Sequence, residues 1–125
     1  MRHRLAALEC LALLIALRLW APLWLRSRLR LSVRGNNMTM LALASKVKGR
    51  GAGVNLVARE LGLLYAAACY RPVVPEHVPG VANGLADALS RRWEPGKDSS
   101  IPSALRGVRE YEVPPRPRSW YHTLR

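Results

Sequence analysis

Apolar residues run almost unbroken from Leu5 to Leu17, interrupted by Glu9 near the middle and closed by Arg18. Residues 5 to 21 are nearly all strong helix formers and are apolar around most of the circumference. They predict a core helix that needs cover on more than one side. Pro22 is expected to end it. From Arg28 to Arg34 the order is Arg, Leu, Arg, Leu, Ser, Val, Arg. That period of two puts Leu29, Leu31 and Val33 on one face of a short strand. Gly35, Asn36 and Asn37 break the strand, and Asn37 is suited to cap a helix from about Met38 to Lys46.

Residues 46 to 53 mix basic side chains with Gly49, Gly51 and Gly53 and predict a loop. Asn55 is expected to open a second long helix reaching about Ala68. Leu56, Leu63, Leu64 and Ala67 would pack there, with Arg59 and Glu60 toward solvent. Residues 71 to 77 place Val73 and Val74 between prolines and read as a final short strand. Pro79-Gly80 turns the chain, and residues 81 to 93 read as the last helix. Further prolines then predict a basic extended or disordered tail over residues 94 to 125, leaving one small domain over residues 1 to 93.

The order helix, strand, helix, helix, strand, helix implies an α/β arrangement in which a crossover joins two parallel strands, with about four helices. Two strands alone make a poor sheet, because a parallel pair needs more strands to bury its edges. Further strands are therefore expected upstream.

Charge changes this picture more than size does. Twenty Lys and Arg face eight Asp and Glu, for a formal net charge of +12, with the excess richest toward both ends. Such a balance attracts polyanions through Coulomb attraction and counterion release without specifying which. Cys10 and Cys69 lie in apolar runs without metal-ligand spacing and read as small buried hydrophobes. That usage suits a reducing compartment and an intracellular location, cytoplasmic or nuclear. The run from Leu5 to Leu17 also has to be weighed as a signal or membrane anchor. Glu9, Arg18, Pro22 and Arg26 keep it short of the ~20 apolar residues that a span needs, so a membrane partner is not expected. The formal glycosylation triplet Asn37-Met38-Thr39 would matter only in that alternative.

The most specific stretch is His77-Val78-Pro79-Gly80-Val81-Ala82-Asn83-Gly84-Leu85-Ala86-Asp87-Ala88-Leu89-Ser90-Arg91. It resembles the signature of ribonuclease H domains fused to retroelement reverse transcriptases, in which a His-x-Pro-Gly turn leads to Asn, then Ala-Asp, then Leu-Ser-Arg. Upstream, a helix bearing Glu9 and a strand ending in Asn36-Asn37 follow the family's order, so the resemblance covers about residues 5 to 92. It implies an incomplete ribonuclease H-like fold lacking the family's N-terminal antiparallel meander. The implied activity is metal-dependent hydrolysis of RNA in RNA–DNA hybrids. Two divalent ions, magnesium by family expectation, would be held by clustered carboxylates.

Carried over residue by residue, Glu9 and Asp87 match metal-binding carboxylates, and Asn36 stands where the family has a metal-binding Asp. His77 matches a loop histidine near the scissile phosphate. Asn37, Asn83 and Arg91 fall at positions near the nucleic acid. The family's first Asp has no counterpart, so two of four carboxylates are present and no competent two-ion site is expected.

Each residue also has an ordinary reading. Glu9 can sit in a first helical turn, and Asp87 can pair with Arg91 one turn later. Asn36 and Asn37 can form a turn and cap, and His77 can be a loop histidine. The sequence as a whole is expected to be a retroelement-derived domain, inactive alone, whose partners are an RNA–DNA hybrid and the rest of a reverse transcriptase polyprotein. The alternatives are a non-catalytic basic nucleic-acid-binding remnant and a signal-anchored single-pass protein.

Overall fold

A computed structural model describes residues 2–79, 83–92, 94–96 and 101–119. Helix α1 (Arg2–Leu19) is followed by a four-residue helix α2 (Ala21–Trp24) and strand β1 (Leu31–Gly35). Helices α3 (Met38–Lys46) and α4 (Ala52–Ala68), strand β2 (Val73–His77) and helix α5 (Gly84–Ser90) complete the order. A 3-10 turn, Ser103–Leu105, lies in the tail. β1 and β2 pair in parallel, Leu31 opposite Val73 through Gly35 opposite His77, so the expected α/β architecture with two parallel strands is the one observed. Five α-helices rather than about four are present among the described residues, because the chain restarts as α2 after α1.

α1 ends at Leu19, ahead of Pro22. Pro22 falls in the first turn of α2, where its missing N–H has no helical partner to lose. Trp24 closes this corner. It is fully buried, its indole Nε1 donates to the Leu17 carbonyl at 2.9 Å, and its ring meets Tyr70 edge-on at 6.3 Å. The Tyr70 hydroxyl in turn donates to the Trp24 carbonyl at 2.5 Å.

The core lies where α1, α3 and α4 meet. α1 contributes Ala7, Cys10, Leu11, Leu14 and Leu17 at helical spacing, and α3 contributes Met40, Leu41, Leu43 and Ala44. Asn37 caps α3 as expected, its side-chain oxygen accepting from the Met40 N–H at 3.1 Å. The buried Tyr65 hydroxyl donates to the Ala44 carbonyl at 2.7 Å and fastens α4 to α3.

Several expectations need correction. α4 starts at Ala52, not Asn55, taking in Gly53, which is buried in its first turn. Its packing face is Val54, Val57, Ala58, Leu61, Leu64 and Tyr65, whereas Leu63 is 73% exposed and Ala67 is exposed. Glu60 is half-buried rather than solvated, held by Arg18 at 3.1 Å and by Arg116 at 2.6 Å. Through Arg116 the tail therefore touches the helices. Cys10 is buried as expected, but Cys69 is exposed, because it sits past the end of α4 in the left-handed conformation with φ 60°. The first strand begins at Leu31 rather than Arg28, whose φ of 52° lies outside strand geometry, and Leu29 is exposed. The last helix runs over Gly84–Ser90, shorter than residues 81 to 93. The expected Pro79-Gly80 turn, the start at Val81 and Trp93 fall wholly or partly outside the described residues. No helix among the described residues is long and apolar enough to cross a membrane.

Candidate functional site

Strand β1 ends at Gly35, buried against Met40, whose terminal methyl lies 2.5 Å from where a glycine-35 side chain would begin. That contact brings the start of α3 against the end of the strand and fixes Asn36 at the strand's carboxyl end. Beside it opens a groove of about 610 Å³, walled by one flank of α1, by α2, by all five residues of β1 and by α5. α1 supplies Glu9, Ala12, Leu13, Ala16 and Leu17, and α5 with its preceding residue supplies Asn83, Ala86, Asp87 and Ser90. The second apolar flank of α1, for which the sequence demanded cover, faces this groove.

Four of the residues singled out from the sequence thus line one groove from three stretches of chain: Glu9, Asn36, Asn83 and Asp87. Three others do not line it. The Asn37 side-chain oxygen is engaged in the α3 cap. His77 is exposed at the end of β2, beside Gly35 in the register. Arg91 lies one turn past Asp87 and donates to its carboxylate at 3.2 Å, the ordinary surface pair the spacing allows. The sequence reading missed Trp20, Leu23 and Trp24 as groove residues. The available signal was the apolar circumference of residues 5 to 21, which promised a second exposed or covered face.

The donor set does not fit a two-ion cage. It offers two carboxylates and one neutral amide oxygen, and Asp87 already shares its charge with Arg91. Among the described residues, no three His, Cys, Asp or Glu side chains gather in an arrangement that could hold a metal ion. Most of the groove wall is instead apolar, from Leu13, Leu17, Trp20, Leu23 and Leu31 to Val33.

The titration behaviour that departs from the ordinary lies in the core. Burial, and secondly the neighbouring Glu9 carboxylate, pushes the Cys10 thiol up to about 11. Burial likewise raises the Tyr65 phenol, with the Arg71 charge pulling partly the other way. Both residues are inert packing groups on this reading. Compared with known proteins, the chain matches no family model, no curated protein and no solved structure.

Proposed function

We propose that the chain is the carboxyl-terminal part of a retroelement ribonuclease H-like domain, descended from a magnesium-dependent endonuclease acting on RNA–DNA hybrids, and that alone it does not cleave. One observation carries this reading. Glu9, Asn36, Asn83 and Asp87, aligned with the family's motif from three stretches of chain, line a single groove. That groove includes the carboxyl end of a parallel strand, where open α/β sheets gather functional groups.

The same residues argue against cleavage. Two-ion phosphoryl chemistry needs enough negative charge to hold both cations and a water between them. Magnesium is held by hard anionic oxygens and gives up its own waters reluctantly, so exchanging a carboxylate for the Asn36 amide weakens the site sharply.

A second reading has its own support. Lys46 at the end of α3 and Lys48 and Arg50 in the loop after it are all exposed, and the whole chain carries +12. A non-catalytic hybrid-binding remnant would use this charge, with affinity falling as salt rises.

The purified chain, given magnesium and an end-labelled RNA–DNA hybrid, should release no product above a buffer control. Metal-dependent cutting would contradict the inactive reading. Salt-sensitive binding without cutting would favour the remnant.

A further inference from the structure

The described part of the tail is held against the helices at two points. Glu110 meets Arg92, just past α5, at 3.4 Å. Arg116 meets Glu60 of α4 at 2.6 Å, the same carboxylate that Arg18 of α1 reaches at 3.1 Å. From one latch to the other the chain is neither helix nor strand. Of residues 113–117 three are proline, and Val113 and Arg116 each precede one. A proline ring fixes its own φ and pushes the residue before it toward extended backbone. All five residues are thereby confined to polyproline-type conformations before any partner arrives.

A polyproline helix has three residues per turn, which puts Val113 and Arg116 on one edge and Pro114 and Pro117 on the next. The first edge is turned to the domain. The Arg116 side chain is only 14% exposed, and Val113 borders a cavity of about 460 Å³ over Ile15, Leu19 and Pro22. Pro114, Pro115 and Pro117 stay exposed, although the first two also border that cavity. We propose that residues 113–117 are a polyproline ligand, splinted on the domain by Glu60 and Arg92, for an aromatic-lined groove of another protein. The splint lowers the ordering cost that a free peptide meets on binding. None of these residues lines the groove beside β1, and none has a role assigned through the ribonuclease resemblance.

Charge decides between a protein groove and a nucleic acid. From Arg109 to Arg118 three Arg stand against two Glu, and Glu60 already engages Arg116. Little net charge is left there to displace counterions from a polyanion. Exposed proline rings flanked by carbonyls, with no N–H of their own, suit a groove of aromatic side chains. Arg118, exposed just beyond Pro117, suits a carboxylate at the end of that groove.

The test titrates the whole chain calorimetrically against a panel of isolated WW and Src-homology-3 domains, which carry such grooves. Saturable binding to at least one is expected, and the double variant Pro114→Ala with Pro117→Ala should weaken it at least tenfold. Glu60→Gln, which loosens the splint without touching the ligand, should weaken it about two- to tenfold. Glu110→Gln should act in the same direction. That carboxylate is 72% exposed, so this arm stands even where Glu60→Gln disturbs the fold. Absence of binding across the panel, or binding indifferent to the two prolines, would overturn the proposal. So would binding left unchanged or tightened by both splint variants, because the domain would then hide the segment rather than present it. Proline-dependent binding of a single-stranded oligonucleotide in place of the panel would overturn it too.

Discussion

The two cysteines stand in opposite surroundings although the sequence presents them alike, each within an apolar helical run. Cys10 occupies the buried stripe of α1, and its thiol is raised from the ordinary 9.0 to about 11. Cys69 is exposed at the left-handed position that ends α4. A thiol reagent at neutral pH should therefore modify one cysteine per native chain and two after unfolding in guanidinium. Two reactive thiols in the native protein would contradict the core. The sign of the pH effect follows from the raised thiol. The folded chain keeps that proton longer than the unfolded one, so its contribution is complete below pH 9.0 and is lost as pH rises toward about 11. Denaturant midpoints measured across that window should fall, and replacing Cys10 with Ala should flatten the decline.

At the scale of elements, the face chosen by α4 is the sharpest test of the packing. Leu61 is fully buried in the core cluster, while Leu63, two residues on, is 73% exposed. Leu61→Ala should lower stability by about 2 to 5 kcal/mol through lost transfer energy and the cavity left behind. Leu63→Ala should stay within about 0.5 kcal/mol of the parent in the same denaturant titration. Equal losses would mean that the face has been assigned wrongly.

This helix also marks where the sequence stops being legible. α3 could be placed at both ends because Asn37 supplies a cap and the following run is short and bounded by basic residues. α4 was oriented correctly at Leu64 but wrongly at Leu63 and Ala67, since Leu56, Leu61, Leu63 and Leu64 surround the helix with apolar side chains and periodicity selects no side. Contact with α1 and α3 makes the selection. The strands were found through alternation and flanking prolines, and their parallel pairing through the intervening helices. Of the candidate site, Glu9, Asn36, Asn83 and Asp87 were reachable only through the family resemblance, because none is unusual for its local element. Arg91 and Asn37 were better described by their ordinary roles, a surface ion pair and a helix cap.

For the whole molecule, a three-helix core supports the two strands found among the described residues, and every residue of β1 lines the groove. The same geometry explains why α1 is apolar on two flanks: one meets α3 and α4, the other meets the groove. The central claim is that Glu9, Asn36 and Asp87 face a common space there, with an amide in place of one of the three carboxylates. Manganese broadening of amide NMR signals in the Asn36→Asp variant tests it most directly. With a third carboxylate added, substoichiometric manganese should broaden the signals of residues 9, 36 and 87 together, while the parent chain shows no shared broadening. Broadening confined to one of the three positions in the folded variant would place them on separate surfaces and contradict the account.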